Sequence, residues 1–149
     1  MPADLPTLTI ARLSRVLENH GPSDLTLPQY RVLGLLSAGD ERATKLAGRL
    51  AVTKPTLTAL IDGLVERGFV VRETADGDRR AVRLSITDAG RAAAAEAGAQ
   101  LREVLDDVVG RCPDPGQVLA VLDDLRQALD ARWNERIVAT AAPDGGAPS

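Results

Sequence analysis

The clearest helical periodicity in the chain lies between residues 53 and 68. Apolar residues recur there at positions i, i+3, i+4, i+7 and i+8 of one helical face: Leu57, Leu60, Ile61, Leu64 and Val65. Thr53 suits the N-cap of this helix, and Pro55 suits its first turn, where a missing N–H costs little. Gly68 suits the left-handed position after a helix C-terminus. The pattern predicts an amphipathic helix that ends near Arg67.

Weaker signals predict five further helices. One spans about residues 5–18, the next follows the N-cap Thr26 and ends at Gly39, and a short one covers about residues 43–50. A long helix begins after Thr87 and reaches about Gly110, and a last helix spans about residues 117–137. The long helix is expected to bury Ala97, Leu101, Val108 and either Val104 or Leu105. The last helix has a nearly heptad apolar pattern: Val118, Leu122, Leu125, Leu129 and Trp133.

Between the fourth and the long helix, the hydrophobic period changes from about 3.6 to 2. The segment FVVRET is rich in β-forming residues, and AVRLSI alternates, with Val82, Leu84 and Ile86 on one face. Asp76-Gly77 between these segments is a strong hairpin signal. The order of elements, with the short turn Ala51–Thr53 before the fourth helix, predicts a mainly α fold with a two-stranded β-hairpin wing. This is a winged helix-turn-helix with flanking helices.

Composition narrows the class of protein further. The chain has 149 residues, of which 44% are apolar and 26% charged, as expected for one globular domain. It lacks the run of roughly 18 apolar residues that a membrane span requires, and its start does not resemble a signal peptide. One Cys and one His exclude an internal disulfide and most metal sites. We therefore expect a cytoplasmic protein without metal or cofactor, and without a membrane partner.

The net charge of −3 hides an uneven distribution. Residues 42–91 carry 10 Lys and Arg against 6 Asp and Glu, whereas the remainder carries 8 against 15. A basic middle between acidic ends favours contact with a polyanion, although chance variation in surface charge also produces such a pattern.

The start of the fourth helix carries the groups that a DNA-reading helix needs. That end must enter a major groove about 12 Å wide, so its exposed side chains must be short and polar. Hydroxyls and the free N–H groups of a helix N-terminus can also bind phosphate. Four residues meet this requirement: Thr53, Lys54, Thr56 and Thr58. The same residue types also cap and solvate ordinary surface helices, so the hairpin that follows strengthens the DNA interpretation.

The predicted tip of the hairpin is charged. Arg79 and Arg80 are adjacent on a protrusion, where an Arg side chain can reach a narrow minor groove of high negative potential. Asp78 can orient the guanidinium of Arg80 through a charge-assisted hydrogen bond. A solvated turn without a DNA role is the alternative.

Three segments together resemble the MarR (multiple antibiotic resistance regulator) family: LPQYRVLGLL, LAGRLAVTKPTLTALIDGLVERGFV and DGDRRAVRLSITDAGR. The wing signature of that family is D-x-R, five residues, then L-T. Here the D-x-R part is Asp78-Arg79-Arg80, the five residues are 81–85, and the last two are Ile86-Thr87. The sequence departs from the signature by having Ile86 in place of Leu, which keeps an apolar side chain at that position. The resemblance is close over about residues 27–91, and the flanking helices match in number and pattern.

The resemblance implies a homodimeric transcriptional regulator, in most such cases a repressor, that binds a pseudo-palindromic operator in double-stranded DNA. The recognition-helix residues named above would contact DNA, together with Asp78 and Arg80 of the wing. Residues 1–26 and 92–138 would form the dimerisation region around a winged helix at residues 27–91. Residues 139–149 are small and rich in Gly and Pro, so we expect a disordered tail there.

Many regulators of this kind are released from DNA by small, often aromatic, anions, while others respond to oxidants or metals. We expect a cleft where the first two helices meet the long helix. Tyr30 would offer an aromatic wall, Arg12 and Arg31 would pair with an anion, and His20 lies at the end of the first helix. Periodicity does not show which side chains face inward, so a core Tyr30 with solvated Arg residues is an equal alternative.

Other interpretations stay open from the sequence. A PadR-like regulator, or a winged helix used for protein contacts alone, would share the fold, although the Asp78–Thr87 signature disfavours the former. An enzyme is poorly supported, because no Gly-rich phosphate loop and no catalytic Cys/His or Ser/His/Asp spacing is evident. Cys112 is expected to be a small hydrophobic residue rather than a redox sensor, and Trp133 to lie in the core or a dimer interface.

Overall fold

The structure is a computed structural model that describes residues 4–20, 24–39, 41–74 and 82–141. Its helices are α1 (Leu5–His20), α2 (Leu27–Ser37), α3 (Ala43–Leu50), α4 (Lys54–Glu66), α5 (Asp88–Val109) and α6 (Pro115–Ala141). Its strands are β1 (Glu41–Arg42), β2 (Val70–Thr74) and β3 (Val82–Ile86). The predicted winged helix-turn-helix with flanking helices is confirmed. Across these ranges, no helix combines the length and apolar character that crossing a membrane would need.

The chain divides into two compact units, Met1–Asp106 and Asp107–Ser149. The first unit contains α1 to α4, the sheet and most of α5. The second contains the end of α5 and all of α6. The winged helix lies entirely within the first unit.

The core of the first unit is formed by α2, α3, α4 and the sheet. Its fully buried side chains are Val32, Leu33, Leu36, Leu46, Leu64, Val70 and Leu84. On α4, Leu57 and Ile61 are also buried, while Leu60 and Val65 are half-buried against the same cluster. The predicted apolar face of α4 is therefore its core face, and the opposite face is free to meet a partner.

The sheet has three antiparallel strands in the order β1-β3-β2, whereas the sequence predicted a two-stranded hairpin. β2 pairs with β3 from Val70 opposite Ile86 to Thr74 opposite Val82. β1 adds only two residues, with Glu41 opposite Leu84. A strand of two residues has no periodicity of its own and exists because β3 offers a free edge, so the hydrophobic pattern did not indicate it. The hairpin tip, residues 75–81, lies outside the described residues.

The helix boundaries follow from local chemistry. Thr26 caps α2 in a capping box, because its hydroxyl accepts from the Gln29 N–H and the Gln29 side chain accepts from the Thr26 N–H. Gly68 follows α4 with φ 76°, as predicted for the left-handed position after a helix. The predicted limits of α3 are also those observed.

The two C-terminal helices differ from expectation in detail. On α5, Ala97 and Leu101 are buried as predicted, but Val109 is buried and Val108 is exposed. Steps of seven and of eight residues from Leu101 both return to the same side of a helix, so periodicity does not decide between Val108 and Val109. α6 starts at Pro115, and it continues to Ala141, three residues into the segment expected to be a tail. Residues 142–149 lie outside the described part of the chain.

Candidate nucleic-acid interface

A tight turn between α3 and α4 sets the direction of α4. Ala51 adopts the left-handed conformation with φ 55° and ψ 42°. Its N–H donates to the Gly48 carbonyl at 3.0 Å, and the N–H of Val52 donates to the Ala47 carbonyl at 3.1 Å. These two bonds form the Schellman pattern that closes a helix and reverses the chain. The next residue, Thr53, already caps α4, so α3 and α4 form a helix-turn-helix.

The predicted DNA-contacting residues at the start of α4 are brought together on the surface. The Thr53 hydroxyl accepts a hydrogen bond from the Thr56 N–H at 3.4 Å, and the two hydroxyl oxygens lie 2.9 Å apart. The Thr58 hydroxyl donates to the Lys54 carbonyl at 3.0 Å. All four side chains are exposed, and Lys54 forms no ion pair with any residue that the structure describes. This end of α4 therefore presents hydroxyl acceptors, a free ammonium group and the backbone N–H of Lys54.

A half-buried carboxylate lies at the start of α3. Glu41 on β1 is 3.5 Å from the Lys45 ammonium and 3.4 Å from the Arg49 guanidinium. Its side chain is only 14% exposed, so it ties β1 to α3 and offsets two basic charges there. This cluster was not predicted from the sequence. The spacing of these residues along the chain was the available signal, since a helix places Lys45 and Arg49 on one face.

An ion pair also joins α4 to the sheet. An Nη of Arg72 on β2 donates to the Asp62 carboxylate of α4. The pair borders a cavity of about 330 Å³ between α4 and the strands, lined by Ala43, Leu57, Thr58, Ile61, Asp62, Arg72, Val82 and Leu84. Sequence reasoning missed this pair as well. The side-chain period of β2 was visible, but its position against α4 depends on tertiary packing.

The far end of α4 is fixed to the base of the wing. The Arg67 guanidinium stacks 4.7 Å from the Phe69 ring centroid and donates to the Asp24 carbonyl. The Thr87 hydroxyl donates to the Gly68 carbonyl at 2.6 Å and accepts from the Gly90 N–H at 3.0 Å. Thr87 therefore caps α5, as predicted, and also bonds α5 to the end of α4.

The predicted effector residues lie apart from these groups. Tyr30 is half-buried against the core, and its hydroxyl lies 3.2 Å from the place of a Cβ on Gly98 of α5. Arg12 and Arg31 are exposed. The His20 Nδ1 lies 3.0 Å from the Val16 carbonyl oxygen, at the C-terminal end of α1. Tyr30 thus packs against the core and beside α5, which fits both a wall of the predicted cleft and the alternative of a core Tyr30. A ligand role for these side chains stays a prediction.

Three further DNA-contacting residues are predicted at the tip of the wing. Asp78, Arg79 and Arg80 lie outside the described residues.

In the second unit, Cys112 is half-buried with its Sγ 3.9 Å from the Val108 carbonyl oxygen, and Trp133 is half-buried on α6.

Shifted pKa values occur in the second unit. Hydrogen bonds from Arg126 and Gln127, with the charge of Arg126, lower the pKa of Asp123. The same contact with Asp123 raises the pKa of Arg126, and a hydrogen bond to Asp107 raises that of Arg111. All three groups are solvent-exposed, so these shifts describe helix-surface ion pairs.

Comparison with known proteins agrees with this geometry. Residues 23–81 match the model of the MarR family. The chain is 36% identical over 85 residues to the HTH-type transcriptional repressor YetL of Bacillus subtilis (strain 168), covering 54% of this chain and 51% of YetL. The chain spans about half the length of the curated relatives it matches.

Solved structures show the same fold over most of the chain. Apo MarR from E. coli matches with a TM-score of 0.71 and 22% identity, covering 87% of this chain and 97% of that one. BpsR of Bordetella bronchiseptica, whose DNA binding is regulated by 6-hydroxynicotinic acid, matches with a TM-score of 0.69 and 23% identity over 83% and 95% of the two chains. The helix-turn-helix, the sheet beside α4 and the matched segment lead to one conclusion: the winged-helix part of this chain is similar to the MarR family of transcriptional regulators.

Proposed function

We propose that this protein is a ligand-responsive repressor that binds a pseudo-palindromic DNA operator as a homodimer. The observation that carries the proposal is the exposed polar cluster at the start of α4, whose opposite face is held in the core. A helix fixed in this way can enter the major groove without losing its own packing. Similarity to YetL, an HTH-type transcriptional repressor, supports repression.

In this proposal, different residues of α4 contact the phosphates and the bases of DNA. Lys54 has no ion-pair partner in the described ranges, so its charge is available for a backbone phosphate. Thr53, Thr56 and Thr58 keep lone pairs that accept from base amino groups, while the backbone N–H of Lys54 faces a phosphate. Arg79 and Arg80 of the wing enter the minor groove, with Asp78 orienting Arg80. A DNA partner also fits a cytoplasmic protein.

The dimer rests on apolar side chains that each unit leaves in solvent. In the first unit, Leu5, Leu8 and Ile10 of α1 are more than half exposed. In the second, α6 exposes Val121, Leu125 and Leu129, and the Leu129 side chain is 63% exposed. Apolar surface of this extent is unfavourable in water unless another chain covers it. A second copy would cover it and would place two recognition helices about one DNA turn apart.

The effector is a small aromatic anion. Regulation of BpsR by 6-hydroxynicotinic acid supports this class, because that molecule combines a ring with a carboxylate. Tyr30 would stack on the ring, and Arg12 or Arg31 would pair with the carboxylate. To release DNA, the ligand must bind one spacing of the paired recognition helices better than the other. A coupling of about 1–3 kcal/mol would change DNA affinity roughly 5- to 150-fold.

Duplex selection and binding measurements test the proposal. The wild-type protein is used to select duplexes from a random-sequence library, and the affinity for a selected duplex is compared with a scrambled one by fluorescence anisotropy. We expect a clear preference, an inverted repeat in the selected sites and two chains per duplex. Equal affinity for both duplexes would contradict a sequence-specific regulator.

The effector is tested on the same complex. Benzoate and 6-hydroxynicotinic acid are titrated against the protein–duplex complex and, by calorimetry, against free protein. Release of DNA that is lost in Tyr30→Ala supports the predicted site. Release that persists undiminished in Tyr30→Ala and Arg12→Ala places the site elsewhere, and binding without release removes the effector role of that compound.

A further inference from the structure

Two acidic side chains of the recognition helix are exposed, Asp62 and Glu66, and Asp62 is the nearer of the two to the predicted DNA-contacting end. Asp62 follows Lys54 and Thr58 at steps of four residues, so the three side chains form a stripe along α4. The Asp62 side chain is 59% exposed. In a complex with DNA, an uncompensated carboxylate on this stripe would face the phosphates and repel them.

Arg72 compensates that charge from another element. Its Nη2 donates to Asp62 Oδ1, and the Arg72 side chain is 39% exposed. Arg72 belongs to β2, so the pair spans the rim of the cavity between α4 and the sheet. Exposed pairs of this kind add little to folding stability. Their effect on a charged partner that approaches the same surface is larger, because removing one member changes the local charge by a full unit.

We propose that Arg72 is a positioning residue for DNA recognition that acts through Asp62. It neutralises the carboxylate and holds it against β2, so the exposed face of α4 approaches the phosphates without repulsion. This inference rests on the proposed DNA-binding function. It differs from a direct role, in which the Arg72 guanidinium would itself contact a phosphate and Asp62 would be a bystander.

A double-mutant cycle separates the two roles. The four proteins are the wild type, Arg72→Gln, Asp62→Asn and the double variant, all full-length chains. Gln keeps the length of the Arg side chain and removes its charge, and Asn keeps the shape of Asp. Affinity for a duplex selected by the wild type is measured by anisotropy at several salt concentrations, and thermal melting checks that each variant is folded.

If Arg72 acts through Asp62, Arg72→Gln weakens binding about tenfold, and the loss shrinks as salt rises. Arg72→Lys retains affinity within about threefold, because the positive charge remains. The decisive result is the double variant, which returns to within about threefold of the wild type, since the pair is then removed as a neutral unit. A role limited to folding would lower the melting temperature of Arg72→Gln together with its affinity, and thermal melting detects this.

A matched control tests whether any exposed Arg–Asp ion pair shows the same loss of DNA affinity and rescue. Arg102 and Asp106 form an exposed pair on α5 with an N–O distance of 2.7 Å. Arg102→Gln, Asp106→Asn and their double variant should leave affinity nearly unchanged. The same pattern of loss and rescue at this pair would overturn the inference, because the effect would then be one of net charge.

Two other results would also overturn it. A double variant as weak as Arg72→Gln would assign Arg72 a direct phosphate contact, and unchanged affinity in Arg72→Gln would leave the pair without a role in recognition. Failure of the proposed function is distinguishable from both, since the wild type would then show no preference for its selected duplex.

Discussion

The carbonyl oxygen of Phe69 occupies the place that a Cβ on Gly90 would need. The same hypothetical Cβ would lie 2.8 Å from Ile86 Cγ1. The first turn of α5 therefore approaches the backbone before β2 as closely as glycine allows. Together with the Thr87 hydrogen bonds, this contact fixes α5 to the base of the wing.

Gly90→Ala should destabilise the protein by about 2 kcal/mol or more, because a backbone oxygen must move to admit the methyl group. Chemical denaturation measures the change. Gly34→Ala is the matched control: Gly34 is inside α2, and a Cβ there would meet no atom within 4 Å. That variant should be stabilised by about 0.5–1 kcal/mol. Equal changes in the free energy of unfolding for the two variants would mean that the close approach at Gly90 does not affect stability.

Elements controlled by short-range chemistry were predictable from the sequence. Thr53 and Pro55 identified the start of α4, and Gly68 identified its end, because caps and left-handed glycines act within one turn of the chain. The same reasoning placed Thr87 at the N-cap of α5. The candidate site at the start of α4 was therefore accessible from residue types and their spacing alone.

Features that depend on a distant partner were not predictable. β1 forms because β3 has a free edge with which it can pair. Glu41 forms its ion pairs with Lys45 and Arg49 only when β1 lies beside α3. The sequence around Gly90 does not distinguish it from other small residues of a helix. Its requirement for glycine comes from the close approach of the Phe69 carbonyl oxygen. In the same way, the partner of Asp62 lies ten residues away on a strand, where no periodic pattern of α4 points to it.

Removing the cap of the recognition helix should affect both stability and DNA affinity. Thr53→Ala loses the hydroxyl that accepts from the Thr56 N–H, at a cost of about 1 kcal/mol. Thr53→Ser should retain most of that stability. Thr58→Ala should change stability by less than about 0.5 kcal/mol, because its hydroxyl bonds back to a helix carbonyl rather than capping. Denaturation and anisotropy on the same variants separate the two effects, and equal stability losses in Thr53→Ala and Thr58→Ala would contradict the capping role.

Lys54 and Arg80 should affect DNA binding in different ways. Lys54→Ala should weaken binding to selected and scrambled duplexes alike and reduce the salt slope by about one. Arg80→Ala should weaken the selected duplex by about 1–3 kcal/mol. Lys45→Ala is the control for Lys54, because Lys45 is already paired with Glu41 and should contribute less. A salt slope that is equal in wild type and Lys54→Ala would exclude a phosphate contact at this residue.

Acid should remove a contribution of Asp123 to α6. The pKa of Asp123 is lowered in the folded chain, first by the hydrogen bond from Arg126, so its stabilising contribution is present above the unfolded pKa of about 4. This stabilising contribution is lost as the pH falls through the lowered pKa that Asp123 has in the folded chain. Melting temperatures of wild type and Asp123→Asn should therefore differ slightly at neutral pH and converge in acid. Asp124→Asn is the control, since Asp124 forms no hydrogen bond or ion pair with a described residue. A difference that persists unchanged in acid would refute the assignment.

The exposed apolar side chains of α6 should determine the oligomeric state. Leu129 is 63% exposed, and in the proposed homodimer a second copy covers it. Leu129→Asp would bury a carboxylate in that interface, so sedimentation at micromolar concentration should show a shift from dimer to monomer. Asn134→Asp adds the same charge at an exposed polar position of the same helix and should remain dimeric. Because paired recognition helices share one operator, the Leu129→Asp monomer should also lose most of its preference for the selected duplex. A wild-type monomer at this concentration would contradict the dimer. A Leu129→Asp variant that stays dimeric would instead exclude this part of α6 from the interface.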